Sequence, residues 1–457
     1  MTVRVSSVRS TVLGMVAGCL MVQGSADDNW PGFRGTNGLG IGSGSPPTQW
    51  DLEEGINIAW RRPVKGLGHS CPVVWGQSVF LTTAVPLSQK RPQLKVGWLG
   101  GTGSSADDEA VWTWQVLCFD LQTGRKLWSQ DAHRGKPAIA RHLKASHANS
   151  TLATNGEYVV AFFGSEGLFC YTTEGERVWK KDFGRLHSGP YDAKELEWGF
   201  ASSPVIYDDK VIVECDCLND AFVAVLDLKT GKEILRIDRE DEVATWSTPA
   251  VVRTADRTQI VCNGYRQMAG YDLATGRKLW HLKGGGDVPV PTPLFQNGLV
   301  YLTNAHGGSH TFVVRPDATG DLTPPIDGEN LPKGLAWWES RDGSYMPTPL
   351  VKDGLLYMCN DNGRLSVRDA MTGETIYRRR VGAGTRTYSA SAVAAGGHLY
   401  FCSESGQVSV VREGREFELV ASNDMKDMIM ATPAIAGDML LIRTAERLVC
   451  IHHGKED

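Results

Sequence analysis

The chain has 457 residues, with 47 lysines and arginines against 52 aspartates and glutamates, so its formal net charge is −5. A mildly acidic chain without a long run of like charges does not have the basic surface that nucleic-acid binding requires, and nucleic acid is therefore excluded as a partner. The length would suit three ordinary domains, but tandem repeats can form one domain of this size, so the repeats must decide.

The first 26 residues are typical of a secretory signal peptide. Arg4 and Arg9 give a positively charged start, the apolar stretch 11–22 follows, and small residues precede Ala26. The stretch is too short to cross a bilayer, which takes about 20 apolar residues. We therefore expect an exported protein of the periplasm or cell envelope, which contacts a membrane only through a lipid anchor.

Two processing sites remain open in this segment. Cleavage after Ala26 would release a soluble protein, whereas residues 16–19 read Val-Ala-Gly-Cys and have the form of a lipobox. In the second case Cys19 carries the lipid and tethers the protein to the outer membrane. Cys19 could also be one more apolar residue of the signal core.

Residues 27–55 are rich in glycine and proline and contain Trp30 and Phe33 as anchors. We expect this segment to lie across one face of the domain that follows. Two further stretches, 86–110 and 316–334, interrupt the repeats described below. Their glycine, serine, aspartate and proline content predicts surface loops.

A strand-rich unit opens eight times with small polar residues, commonly followed by proline, and then an apolar hairpin. Proline suits the first residue of a strand, where its missing N–H costs no ladder hydrogen bond. An Asp-Gly or Asn-Gly pair commonly turns the hairpin. The openings lie at 69–83, 149–163, 201–215, 246–252, 290–304, 346–360, 388–402 and 430–444.

Seven units also share an ending of the form Asp-x-x-Thr-Gly-x-x-x-Trp, complete at 118–128 and 270–280 and weaker elsewhere. The glycine permits a positive φ, and the aspartate or threonine can bond local N–H groups. The tryptophan then packs on the sheet, which requires a neighbouring blade. The turn glycines are Gly124, Gly175, Gly231, Gly276, Gly320, Gly373 and Gly414.

Eight openings and seven endings predict a ring closed by a strand from the other end of the chain. The last unit stops near residue 451, and residues 56–60 resemble the strand that it lacks. Closure removes open sheet edges. The predicted fold is all-β: a single eight-bladed β-propeller of four-stranded antiparallel blades over residues 56–457, closed by an N-terminal strand.

These repeats resemble the PQQ-like β-propeller superfamily over nearly all of the mature chain. The opening Asn-Trp-Pro-Gly-Phe-Arg-Gly at 29–35 is most similar to exported propellers of planctomycete-type bacteria. The resemblance implies either of two roles. Quinoprotein alcohol dehydrogenases of the family bind pyrroloquinoline quinone (PQQ) with calcium on the propeller axis, whereas its outer-membrane assembly lipoprotein binds no cofactor.

No catalytic residue is predicted. The adjacent cysteine pair and the haem-attachment motif of the quinoprotein enzymes are absent, and so are the zinc-protease, phosphate-loop and serine-hydrolase motifs. The His452–His453 pair has no third ligand, so no metal site is predicted. Cys215 and Cys217 form the single close cysteine pair, for which a structural role is favoured over a redox role.

The candidate site is an axial pocket. Residues that open the inner strands should face the axis, and aromatic, histidine and arginine side chains stand there or just upstream, where they could hold a flat or anionic ligand. The alternative is a polar axis lined by ordered water. The predicted ligand-binding residues are His69, His147, Asn149, Trp198, Trp246, Arg341, Tyr345, Arg386 and Tyr388.

The sequence therefore favours a non-catalytic, monomeric binding or scaffold protein whose partner is an envelope protein or a small ligand. A PQQ-dependent dehydrogenase that acts on an alcohol or sugar is the alternative. A carbohydrate-binding propeller is the second alternative, because exposed tryptophans stack on sugar rings. No cofactor is firmly predicted, and PQQ with calcium stays open.

Overall fold

A computed structural model describes residues 28–88, 92, 94–99, 104–325, 330–382 and 387–454. The signal segment, with Cys19 and Ala26, and the predicted ligand-binding residue Arg386 lie outside these ranges. No described helix is long and apolar enough to cross a membrane.

The described residues form eight antiparallel sheets in a ring, as predicted. In each blade a short inner strand lies nearest the axis and three longer strands follow outward. The first four blades comprise β2 (Val73–Trp75), β3 (Ser78–Pro86), β4 (Trp112–Asp120) and β5 (Lys126–Gly135); β6 (Ala153–Thr154), β7 (Tyr158–Phe162), β8 (Leu168–Thr172) and β9 (Arg177–Lys181); β10 (Val205–Tyr207), β11 (Lys210–Asp216), β12 (Ala221–Asp227) and β13 (Glu233–Asp238); β14 (Ala250–Arg253), β15 (Thr258–Cys262), β16 (Met268–Asp272) and β17 (Lys278–Leu282).

Blades 5 to 8 follow the same plan. They comprise β18 (Leu294–Gln296), β19 (Leu299–Ala305), β20 (Ser309–Val314) and β22 (Leu335–Glu339); β23 (Leu350–Lys352), β24 (Leu355–Cys359), β25 (Arg364–Asp369) and β26 (Thr375–Arg380); β27 (Val393–Ala395), β28 (His398–Cys402), β29 (Gln407–Arg412) and β30 (Leu419–Asp424); β31 (Ala434–Ala436), β32 (Met439–Arg443) and β33 (Arg447–Ile451), with β1 (Ile58–Pro63) as the outer strand of blade 8. Short 3-10 turns occur at Thr36–Gly38 and Gly164–Glu166.

The ring closes as the sequence predicted. Strand β1 pairs antiparallel with β33, so that Trp60 lies opposite Cys450 and Arg61 opposite Val449. Blade 8 therefore combines strands from the first and last parts of the described chain, and its apolar residues pack with Val74 and Leu81 of blade 1.

The Thr-Gly turns lock neighbouring blades together. Asp120 Oδ1 accepts hydrogen bonds from the N–H and hydroxyl of Thr123 at 2.8 and 2.6 Å, which holds the turn in place. Gly124 has φ +65°, and a Cβ there would lie 2.5 Å from the ring of Trp60 in the preceding blade. The glycine is needed for its conformation and also because the tryptophan lies directly on it.

The same contact recurs around much of the ring. Trp128, Trp179 and Trp337 lie on Gly175, Gly231 and Gly373 of the following blade, and each indole N–H donates to a backbone carbonyl of that blade at 2.8 to 3.0 Å. The tryptophan thus packs on the next blade's turn, which the repeat pattern alone did not indicate.

Gly320 departs from the predicted pattern. It does not form the tight turn of blade 5, because residues 315–334 separate β20 from β22. Instead Gly320 and Asp321 form β21, which pairs parallel with β17 and adds a fifth strand to blade 4. The ending that the sequence analysis assigned to Gly320 is therefore part of an excursion from blade 5 that pairs with blade 4.

The core lies between the blades. Cys118 of blade 1, for example, packs in one apolar layer with Phe169 and Tyr171 of blade 2. All nine described cysteines, including Cys215 and Cys217, are buried and unpaired.

Residues 28–52 lie against the inner strands of blades 1 and 7. Trp30 forms a β-bridge with Val74 in blade 1, and Ile41 forms one with Ala394 in blade 7. Between them Arg34 is fully buried and donates to five backbone carbonyls, among them those of Pro349 and Ala392 at 2.7 and 3.0 Å. Burial lowers the pKa of Arg34 to about 9.

Candidate functional site

A cavity of about 630 Å³ lies on the propeller axis. Its wall is built from residues that each lie four positions before the first residue of an inner strand: His69, Asn149, Ala201, Trp246, Val290, Met346, Ser389 and Met430. Its mouth is built from loops that precede the inner strands and from turns between the second and third strands of blades 5, 6 and 7. Those segments contribute His142, Lys144, Tyr191, Asp192, Trp198, Asp287, His306, Tyr345, Asp361, Thr387 and Glu404.

A ring of small polar side chains narrows the far end of the cavity. Each blade contributes one residue to this ring. In six cases the backbone N–H of that residue donates to the side-chain hydroxyl of the ring residue in the next blade, at 2.9 to 3.0 Å. Phe33, beside the buried Arg34, lines the same end. The ring consists of Cys71, Thr151, Ser203, Thr248, Thr292, Thr348, Ser391 and Thr432.

Aromatic rings form one wall. Trp198 and Trp246 lie 5.6 Å apart at an interplanar angle of 35°, and His142 meets the edge of Trp198. Trp246 is fixed because its indole N–H donates to the carbonyl of Gly199 at 2.8 Å. At the mouth Trp98 is 81% exposed, which is unusual for the largest apolar side chain.

A loop of blade 1 contacts blade 7 at the cavity mouth. The loop between β3 and β4 brings Gly97 to the mouth, where its N–H donates to Glu404 at 2.8 Å and its carbonyl accepts from Lys144 at 3.1 Å. Glu404 also accepts from the hydroxyls of Thr387 and Ser389 at 2.9 and 2.6 Å. The carboxylate is therefore a structural acceptor that holds the loop over the cavity.

The mouth is acidic. Oδ1 of Asp287 is hydrogen-bonded to Nδ1 of His306 at 2.5 Å, and the ring of Tyr345 stacks on that histidine. Burial raises the pKa of Asp361. Within the described lining, the cationic side chain of Lys144 is held by Glu404, and no arginine is present.

Two lining histidines add no positive charge near neutral pH. Withdrawal from water, and then nearby Arg443, lower the pKa of His69 to about 3. Withdrawal from water, and then Lys144, lower the pKa of His142 to about 4. Nε2 of neutral His69 lies 3.0 Å from the carbonyl of Lys144.

Five of the nine residues predicted from the sequence line the cavity: His69, Asn149, Trp198, Trp246 and Tyr345. Asn149 is committed to the fold, because its Oδ1 accepts from Ser146 and its amide donates to Phe200.

Three others lie elsewhere. Nε2 of His147 contacts Asp108 at 3.0 Å and the ring packs beside Trp112, so His147 anchors the blade 1 excursion. Tyr388 is buried beside Gly363 in the blade 6–7 core, and Ser389 faces the axis in its place. Arg341 is exposed just after β22, the outer strand of blade 5, and is not part of the cavity lining.

Sequence reasoning missed Lys144, Asp361 and Glu404. Asp361 and Glu404 lie in hairpin turns of the form Asn-Asp-Asn-Gly and Ser-Glu-Ser-Gly, where polar residues are ordinary turn formers. Their recurrence at the same hairpin of consecutive repeats is the signal that could have found them.

An eight-bladed ring with Thr-Gly turns covered by tryptophans and a cavity on its axis defines a PQQ-like propeller. The profile of the family described as outer membrane protein assembly factor BamB matches residues 113–379 and 219–454, and the chain belongs to this family. No curated protein matches the sequence.

Solved structures share the fold at low identity. BamB from Moraxella catarrhalis superposes with a TM-score of 0.51 at 13% identity, over 83% of this chain and 100% of that one. A europium-containing methanol dehydrogenase gives 0.60 at 10% identity, over 92% and 90%. The computationally designed Ika8 protein gives 0.51 at 14% identity, over 77% and 97%.

Proposed function

We propose that this protein is an exported, non-catalytic binding propeller that holds a neutral, polyhydroxylated ligand, a carbohydrate, in its axial cavity. One observation carries the proposal: aromatic faces and carboxylates line the cavity together, and its one described cation is already paired.

The chemistry of this lining matches a sugar. The C–H faces of a pyranose stack on indole rings such as Trp246 and the exposed Trp98, while its hydroxyls donate to carboxylate oxygens such as those of Asp192 and Asp361. The cavity volume lies within the range of small-ligand sites. An anionic ligand, which the sequence analysis allowed, would face these carboxylates, and no guanidinium group lines the cavity within the described residues.

The lining does not fit PQQ. That cofactor is a flat quinone with three carboxylates, and its binding calls for cationic groups and a metal site. The described lining has no arginine, and no described group of three or more His, Cys, Asp or Glu side chains is arranged to hold a metal ion. We therefore assign no redox step to this cavity, despite the likeness in fold to a methanol dehydrogenase.

An assembly scaffold in the cell envelope is the second candidate, favoured by the family description as an outer membrane assembly factor and by the predicted signal peptide. This role would use outer surfaces of the ring and is compatible with an occupied axis.

A glycan array probed with the labelled mature protein tests the proposal, followed by calorimetric titration of the best hit. We expect one-to-one binding of a neutral oligosaccharide that Trp246→Ala abolishes. Tight one-to-one binding of PQQ with calcium in a parallel titration would overturn the assignment in favour of the dehydrogenase. Binding of neither would leave the scaffold role, to be tested by pull-down from envelope extracts.

A further inference from the structure

A cluster of arginines that do not line the axial cavity lies on the side of blade 6 that faces blade 5, called here the cleft between blades 5 and 6. Successive residues of a strand point to opposite faces, so Arg364 and Arg368 of β25 share one face. On the neighbouring strand β26, Arg380 lies directly opposite Arg364. Arg378 lies opposite Ser366, which is midway between Arg364 and Arg368. The other face of β25 packs Leu365 and Val367 against blade 7. Four guanidinium groups therefore share the face toward blade 5.

Blade 5 supplies two carboxylates to this cleft. Asp342 Oδ2 lies 2.6 Å from Arg378 and 3.3 Å from Arg368, and Asp342 also pairs with Arg364. Glu339 lies 3.4 Å from Arg368. Four guanidinium groups thus meet two carboxylates, which leaves two positive charges uncompensated.

Several features of this cluster are unfavourable for the fold alone. Like charges directly opposite on neighbouring strands destabilise a sheet, as Arg364 and Arg380 do here. The Nε of Arg368 is buried and has no hydrogen-bond partner within the described residues. Such a group costs free energy unless a partner satisfies it. The chain as a whole carries a net charge of −5, so this concentration of arginine is local.

We propose that the cleft between blades 5 and 6 binds a phosphate group. Guanidinium forks bind phosphate oxygens in pairs, and a dianion matches the two uncompensated charges. The phosphate could belong to a soluble phosphomonoester or to a lipid headgroup, because both present the same group. None of the four arginines is among the residues that line the axial cavity, so this proposal does not rest on the proposed sugar ligand.

The first arm of the test is calorimetric titration of the mature protein with inorganic phosphate, with acetate at equal ionic strength as the monoanion control. The second arm is co-sedimentation with vesicles of phosphatidic acid in phosphatidylcholine, against phosphatidylcholine alone. Arg378→Gln is the test variant. Arg379→Gln is its control, because it removes the same charge from the opposite face of the same exposed strand. Asp342→Asn frees guanidinium donors.

We expect Arg378→Gln to weaken binding about tenfold, Arg379→Gln to leave it unchanged, and Asp342→Asn to tighten it. This pattern with inorganic phosphate identifies a soluble ligand, and the same pattern with vesicles alone identifies a headgroup. Binding of neither probe, equal losses in Arg378→Gln and Arg379→Gln, or equal binding of acetate would overturn the proposal.

Discussion

The ammonium group of Lys144 lies 2.5 Å from Oε1 of Glu404, although Lys144 follows blade 1 and Glu404 belongs to blade 7. The side chain of Glu404 is 1% exposed and that of Lys144 is 20% exposed, so the pair is largely withdrawn from water. Both hold the backbone of Gly97. The ion pair therefore fixes the blade 1 loop at the cavity mouth.

Replacing Glu404 by glutamine should leave the Lys144 charge without its partner and lower the free energy of unfolding by about 3 kcal/mol. Exchange of the Gly97 amide with deuterium should become faster. Lys136→Gln is the control, because its partner Glu109 is 81% exposed and such surface pairs contribute at most about 1 kcal/mol. Equal stability of the two variants would contradict the structural role of the pair.

The contact between tryptophan and glycine gives a second prediction. Gly231 and Gly298 have similar positive φ angles of +68° and +73°, but a Cβ at Gly231 would lie 2.6 Å from Trp179, whereas Gly298 has open space. Gly298→Ala should cost about 1–2 kcal/mol from backbone strain alone. Gly231→Ala should cost about 1–3 kcal/mol more through the clash. Urea unfolding measures both, and identical losses would show that the blades do not depend on this contact.

Ring closure predicts that the terminal strand is essential. A mature protein that lacks residues 28–63 loses β1, the outer strand of blade 8, together with the segment that carries Arg34. We expect no cooperative thermal transition, because blade 8 is left incomplete and the hydrogen bonds of Arg34 to the segments before the inner strands of blades 6 and 7 are lost. A melt that matches the full mature chain would refute closure by β1.

Acid should destabilise the protein through His69. Its pKa of about 3 in the folded state lies below the ordinary value of 6.5, so the folded state binds fewer protons than the unfolded chain between these values. The free energy of unfolding should therefore fall as the pH drops below about 6.5, by up to about 1.4 kcal/mol per pH unit for this one group. Denaturant unfolding from pH 7 to pH 4 should show a shallower slope in His69→Gln. An unchanged slope would assign the acid sensitivity to other groups.

The fold could be predicted because short patterns that recur in most repeats fix the local structure: proline before an inner strand, the Asp-x-x-Thr-Gly turn and the tryptophan that follows it. The site was harder to predict because its contacts join distant repeats. His147 turns away from the axis because Asp108, from an excursion of another repeat unit, meets it there. The sequence prediction placed Tyr388 at the axis, where Ser389 lies instead. Successive residues of an extended chain point to opposite sides, so an error of one residue in aligning Tyr-Ser-Ala-Ser with the other repeats exchanges the two side chains.

The most direct test of the axial carbohydrate site is a titration of the mature protein with a neutral oligosaccharide selected on the glycan array, repeated with Trp246→Ala and with Trp338→Ala. Trp338 stacks on His310 in blade 5, outside the cavity lining, and serves as the control. A carbohydrate site in the axial cavity predicts one-to-one binding that survives Trp338→Ala and is lost with Trp246→Ala. Binding that is unchanged by Trp246→Ala would contradict an axial carbohydrate site.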